Sequence, residues 1–264
     1  MIILIEFLLF FQLFFFYLTI NMMIHGDFLK EYEQFSQLKV IPDMPIILRA
    51  DGRSFSNYTK QLNLQKPFDE RLRDIFIKIS EDLIKEFNPK YVYTFSDEFN
   101  ILFDEIPFNG RIEKINSVIS SFISSSFMKH LYLNKESFNI DFKDLKPVSF
   151  DCRVISTPNH IKDYFKWRQD EAWRNCLNSY AQSILNRTHT NRETSEILYK
   201  LKKQDIHELL FENGINIAHV PIWQKRGVCL YKKLEEEDIN QVAIHNKINT
   251  SKKIYVDLEM NLIK

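Results

Sequence analysis

The chain has 264 residues, with 35 lysines and arginines against 35 aspartates and glutamates, 23 phenylalanines and only 5 glycines. That length suits one large domain or a core domain with an appendage, and zero formal net charge excludes a whole-molecule bias toward nucleic acid or membrane, so any anion site is local. The widely separated Cys152, Cys176 and Cys229 exclude a paired-cysteine zinc or redox motif and read as buried small hydrophobes in a reducing compartment; the scattered histidines form no metal pair on a helix face.

The first segment, "MIILIEFLLFFQLFFFYLTI", is apolar apart from Glu6, Gln12 and Thr19 and is long enough to span a bilayer. Glu6 stands where a signal peptide carries positive charge, and Met22 and Met23 follow directly. Residues 1–21 are therefore either an extension upstream of the true start or an anchor or targeting piece. They are left out of the fold, and membrane association is expected only if they are retained.

"PIILRA" (45–50), bounded by proline and by Asp51-Gly52, predicts a buried first strand. Leu72, Ile75, Phe76, Ile79, Leu83 and Phe87 recur at three and four, predicting a helix that Asp69 caps and Asn88-Pro89 stops. "YVYTF" and "FNILF" flank Ser96, Asp97 and Glu98, which predicts a β-hairpin with an acidic turn. A second helix is expected over about Arg111–Tyr132, weakened by its serine-rich middle "SSFISSSF", and "PVSFDCRVIS" (147–156) is strand four.

The order β-α-β-β-α-β predicts an α+β, ferredoxin-like core over 22–156, the arrangement of nucleotide-polymerase and cyclase palms. The region 157–264 is expected to be a mostly helical and extended appendage for RNA and subunit contacts. It holds "YFKWRQDEAWRNCLNSYAQSILNR", then the basic strand or loop "HVPIWQKRGVCLYKK", then the acidic run "EEED". "WQKRG" is read as a phosphate contact or as plain surface, and Trp167 and Trp173 as helix packing or base-stacking platforms.

In this topology strands one and three are antiparallel neighbours, so Asp51 at the end of the first meets the Asp97 turn. Two carboxylates brought together raise each other's pKa unless a cation lies between them. Asp51, Asp97 and the Gly52 carbonyl form an oxygen set suited to magnesium, and a pair of such ions serves nucleotidyl transfer. Arg53 or Lys66 is expected to hold a triphosphate. Each acidic turn alone is a common structural turn; their meeting is what points to chemistry.

The blocks "RADGRSF", "QKPFDERL", "TFSDEFNILF", "SFDCRV", "YFKWRQDEAWRNCLNSYA", "ELLFENGIN" and "PIWQKRG" together resemble the tRNA-His guanylyltransferase family, in order and over roughly residues 26–232. The resemblance implies an enzyme that adds nucleotides to the 5′ end of tRNA, opposite in direction to ordinary polymerases. ATP activates the 5′ phosphate, and the 3′ hydroxyl of an incoming GTP then displaces AMP. It further implies two magnesium ions on Asp51, Gly52 and Asp97, with Glu98 in support.

On the same ground Asp51, Gly52, Arg53, Ser54, Phe55, Ser56, Ser96 and Asp97 cradle the nucleotide, Lys66 assists activation, and Asp69 lies near the base as well as capping its helix. Arg49, Arg153, Arg168, Arg174, Lys225 and Arg226 are candidates for RNA or triphosphate phosphates. Ser56 stands where many eukaryotic members carry histidine, and "WRNCLNS" (173–179) replaces the eukaryotic "HINNLYN" block, as in the archaeal and bacterial-type branch that repairs 5′ ends against a template. A homotetramer in the cytoplasm acting on tRNA-His or on 5′-truncated tRNAs is the expected setting. Two rival readings are a palm-fold nucleotide cyclase or signalling synthase, and a membrane-tethered, non-catalytic RNA-binding protein.

Overall fold

The computed structural model describes residues 9–18, 29–157, 159–234 and 252–259. Its centre is a six-stranded antiparallel sheet in the order β4-β1-β3-β2-β5-β6. The strands are β1 (Ile46–Gly52), β2 (Tyr91–Phe95), β3 (Glu98–Phe103), β4 (Phe150–Ile155), β5 (Val228–Leu234) and β6 (Lys252–Asp257). The helices are α1 (Phe55–Tyr58), α2 (Glu70–Phe87), α3 (Ile112–Leu133), α4 (Lys135–Phe138), α5 (Ile161–Leu185), α6 (Asn191–Lys200), α7 (Lys203–Glu212) and α8 (Ile222–Arg226).

The first four strands with α2 and α3 form the expected ferredoxin-like core. Alternation along the strands separates two faces. Ile46, Leu48, Ala50, Phe99, Ile101 and Phe150 pack with α2 and α3 into the main apolar core. Ile47, Tyr93, Phe95 and Leu102 on the opposite face meet Tyr164, Phe165 and Ala172 of α5.

The start of α2 follows the sequence reading: Asp69 has extended backbone and accepts from the Arg71 N–H at 2.9 Å, which satisfies one of the helix's free donors. The serine-rich middle of α3 remains helical because its hydroxyls bond back to the preceding turn, as from Ser124 to the Ser120 carbonyl (2.8 Å). Ser126 instead crosses to Asp82 of α2 at 2.7 Å, where Lys129 and His130 also converge. Burial pushes the Asp82 carboxyl up, but these donors outweigh it and hold the group at about 2.

Beyond Asn159 the sequence reading and the structure part at one point. "IWQKR", read as strand or loop, is the helix α8; only after Gly227 does the chain become β5, which pairs beside β2 with Tyr93 opposite Cys229. β6 then pairs with β5, so the last described strands extend the palm sheet and do not lie apart from it. Gly227 has a φ of 79°, and a Cβ there would stand 2.5 Å from the Thr94 carbonyl oxygen, so only glycine lets α8 turn into β5 against β2.

Residues 9–18 form a helical segment whose Phe10, Phe14 and Phe16 are exposed. Among the described residues no helix is long and apolar enough to cross a membrane. The remainder of the apolar leader, Met22 and the "EEED" run lie outside the described residues.

Candidate active site

β1 ends where β3 begins: Asp51 is the register partner of Glu98, and the Gly52 N–H donates to the Asp97 carbonyl at 3.1 Å. The β2–β3 connection has two residues, Ser96 and Asp97, between the paired Phe95 and Glu98. Ser96 closes it in the left-handed region (φ 52°), at a cost on the order of 1 kcal/mol, and its hydroxyl donates to the Asp97 carboxylate at 3.0 Å. A Cβ on Gly52 would meet the Phe55 ring at 2.8 Å, so the glycine is what lets the loop after β1 fold down onto the core.

The electrostatics follow from this crowding. Burial first, and the Asp51 charge second, lift the Asp97 carboxyl to about 6, with the Ser96 hydroxyl opposing. Asp51 is raised by burial and by Asp151, its register partner on β4, against the lowering influence of Arg153, Arg49 and Arg168. Among the described residues no cation pairs with Asp97. This is the donor chemistry a hard divalent cation relieves, so Asp51, Asp97 and the Gly52 carbonyl fit magnesium. Among the described residues no group of three His, Cys, Asp or Glu side chains forms a full metal cage.

Beside the Asp97 turn opens a cavity of about 470 Å³. It brings together Gly52, Ser54, Phe55, Ser56, Lys66, Asp69, Ser96 and Asp97 of the expected set, with the exposed Lys66 at the loop before α2. Phe68, Phe95 and Trp223 give it aromatic walls, and Asn175, Ser179 and Gln224 give it amide and hydroxyl groups. Phe68 packs edge-on to Trp223, whose other partner is the Arg73 guanidinium at 4.9 Å from the ring centre. A cavity of this size, with aromatic walls, many polar groups and acid at one end, suits a nucleoside phosphate.

Arg53 lies outside the cavity lining with an exposed side chain, its backbone N–H tied to the Ser149 carbonyl at 2.9 Å. Arg49 lies under the site, with a buried Nε that has no partner and its guanidinium 5.9 Å from the Trp167 ring centre. Arg153 pairs with Asp151 and Arg174 with Glu171, both at the surface. Lys225 donates to the Ala218 carbonyl at 3.0 Å, and the Arg226 carbonyl accepts from Tyr93 at 2.8 Å.

Two expectations need correction. Arg168, expected at an RNA phosphate, is 7% exposed and grips both oxygens of Glu98, at 2.8 and 2.6 Å. Glu98, expected to support the metal, is in turn committed to Arg168 and to the Asn100 amide (2.8 Å), which Tyr164 fixes from above at 2.5 Å. The cause is the side of α5 that meets the sheet: Tyr164, Arg168 and Ala172 share the buried stripe. Asp69 lines the cavity as well as capping α2, and its carboxylate also binds Arg71 and the Gln65 N–H (2.8 Å).

The residues that sequence reasoning missed are Asp151 and the aromatic walls. Asp151 was within reach, because "FDC" is the neighbouring strand and places an acid opposite Asp51. Phe68 and Trp223 gave no signal, since they meet only after α8 returns to the sheet.

The chain matches the family described as tRNAHis guanylyltransferase over residues 26–158 and the Thg1 C terminal domain over residues 159–262. It is 31% identical to the probable tRNA(His) guanylyltransferase of Dictyostelium discoideum over 83% of this chain and 86% of that protein. Against the tRNA(His) guanylyltransferase of Schizosaccharomyces pombe it is 28% identical over 80% of this chain and 82% of the relative. A bacterial tRNA(His) guanylyltransferase (Thg1)-like protein solved in complex with ATP superposes with a TM-score of 0.70 at 29% identity, covering 89% of this chain and 91% of that one. Its complex with GTP gives 0.67 at 29% identity over 90% and 93%. The Saccharomyces cerevisiae tRNA(His) guanylyltransferase gives 0.63 at 26% identity over 75% and 90%. The match runs through both halves of the fold and through the acidic turn alike, and the chain belongs to the tRNA(His) guanylyltransferase family.

Proposed function

We propose that this protein lengthens the 5′ end of a tRNA, with Asp51 and Asp97 as the acidic centre and the adjoining cavity as the nucleotide site. The observation that carries the reading is the coupling of those two carboxylates, both raised by burial and by neighbouring acid charge, with Asp97 lining a nucleotide-sized cavity whose wall also includes Gly52, the neighbour of Asp51. In the first step the 5′ phosphate of the RNA attacks the α-phosphorus of ATP, and pyrophosphate leaves. In the second, the 3′ hydroxyl of an incoming nucleotide attacks the activated 5′ phosphorus, and AMP leaves.

The residues divide the work by chemistry. The aromatic walls take the purine, while Ser54, Ser56 and Ser96 offer hydroxyls to ribose and phosphate. Lys66, exposed at the rim, carries positive charge to the triphosphate. The buried Arg168–Glu98–Asn100–Tyr164 chain keeps the sheet beneath the acids fixed. Two magnesium ions on Asp51, Asp97 and the Gly52 carbonyl would supply charge neutralisation at the attacking and leaving oxygens when bound.

The reading extends to template-directed addition. The "WRNCLNS" block supports it: Asn175, Cys176 and Ser179 line the cavity, whereas Trp173 leaves it to pack beside His207 with ring centres 6.0 Å apart. Assembly as a cytoplasmic homotetramer belongs to the same reading and rests on the family alone; sedimentation of the purified protein tests it.

The test supplies magnesium, ATP and all four nucleotides to full-length tRNA-His and to a different tRNA lacking its first nucleotide. Templated extension of the truncated RNA is the expected result. Addition of G to tRNA-His alone would narrow the activity to a dedicated guanylyltransferase, and no addition to either RNA would overturn it.

A further inference from the structure

We propose that the groove on the far end of the sheet, between α5 and α8, is a binding site for the sugar-phosphate backbone of RNA, separate from the nucleotide cavity. The groove has a volume of about 1040 Å³ and crosses Tyr91 and Leu102, four strand residues from Glu98. None of its lining residues lines the nucleotide cavity; α5 and α8 form a common wall, with Trp223 and Gln224 facing the cavity and Lys225 and Arg226 facing the groove.

Charge and chemistry identify the occupant. Five cationic side chains line the groove against two carboxylates, Asp163 and Asp170, although the whole chain is neutral; Lys90 among them is paired with Asp104 at 2.8 Å, which leaves Lys162, Lys166, Lys225 and Arg226. Lys162 and Lys166 stand one helical turn apart on α5, exposed, and no carboxylate of the described residues pairs with either. Arg226 is exposed and equally unpaired through its guanidinium, while its carbonyl is pinned by Tyr93. Between the cations lies the Gln169 amide, whose Nε2 is buried without a hydrogen-bond partner. A buried donor left unmade is costly, and a phosphate or ribose oxygen arriving in the groove would satisfy it.

The spacing fits the reaction. From Leu102 back to Glu98 the sheet measures roughly 14 Å at about 3.4 Å per residue. That is about four nucleotide steps at roughly 3.4 Å of duplex axis each. A substrate with its 5′ end at Asp51 and Asp97 therefore reaches the groove with phosphates a few nucleotides inward, so the groove fixes register without reading sequence.

The site rests on the proposed function for its place in the reaction, but its test separates the two. The full chain is compared with the Lys162→Ala/Lys166→Ala double variant, two exposed positions whose truncation leaves the fold intact. Affinity for a 5′-truncated tRNA is measured against salt, alongside nucleotide transfer and ATP binding without RNA. Loss of two phosphate contacts predicts about tenfold weaker RNA binding and a salt slope shallower by roughly 1.4 to 1.8. KM for RNA should rise with kcat and ATP binding unchanged.

Equal RNA affinity and salt slope in the two proteins would overturn the groove. So would a variant that falls apart into smaller assemblies at unchanged RNA affinity, which would make this face a contact between copies. Groove-dependent RNA binding by a wild-type protein that transfers no nucleotide would uphold the groove and overturn the proposed function.

Discussion

Asp97 sits where function and stability pull in opposite directions. Its carboxyl is held at about 6 in the fold against 3.8 when exposed, so between those values the native state binds more protons than the unfolded chain. Its contribution is therefore most favourable below about pH 4 and is lost as the pH rises through 6, a cost of roughly 3 kcal/mol at about 1.4 kcal/mol per unit. Replacing Asp97 with Asn removes that cost: the metal-free variant should melt several degrees above wild type at pH 8 and show no gain at pH 4. Magnesium should raise the melting temperature of wild type at pH 8, chelation should reverse it, and the variant should respond to neither. Its transfer activity should fall by 100-fold or more, because metal charge stabilisation amounts to several kcal/mol, while RNA affinity holds. The pairing of Asp51 with this turn was legible in the sequence, since a two-residue acidic hairpin beside a strand ending in Asp-Gly leaves little freedom of register. The partner of Arg168 was not, because a single helix sequence does not say which stripe will face a sheet bearing its own buried acid.

At the scale of elements, α5 is attached to β3 by the Arg168–Glu98 pair, with side chains 8% and 7% exposed. Truncating one member leaves a buried charge unpaired, so Arg168→Ala should destabilise the fold by about 3 to 5 kcal/mol by denaturant unfolding. Replacing both with apolar residues of similar volume should recover most of that loss, which a double-mutant cycle will display. Recovery of stability without recovery of kcat would show that the pair also positions the acids above it. The helices α2 and α3 and the first four strands were legible from periodicity and caps. α8 was not, and the segment of β5 was read as strand or loop without its place in the sheet: β5 pairs with β2 from more than a hundred residues away, as in the register of Tyr91 with Tyr231, and no local pattern encodes that pairing.

Across the whole molecule, the described apolar helix at residues 9–18 is exposed, while the core is built from Val40 onward. A protein beginning at Met22 should therefore keep its melting temperature and its transfer rate within twofold; a large drop in either would make the leader part of the working fold. The neutral net charge concealed a local imbalance that only the fold displays: the groove lining carries more cations than carboxylates, while the cavity lining is balanced, with α5 and α8 between the two. Composition averages over that imbalance, so it could say that any anion site is local but not where on the fold it lies.

The central claim is that the acidic turn activates a 5′ end before extending it, and the direct measurement isolates that step. Truncated tRNA bearing a 5′ monophosphate is mixed with the protein, magnesium and ATP labelled in its α-phosphate, with no other nucleotide. Label should pass to the RNA 5′ end with release of pyrophosphate, be lost as AMP when the templated nucleotide is added, and never appear with Asp97→Asn. Extension without a labelled intermediate, or labelling that survives the loss of Asp97, would contradict the account.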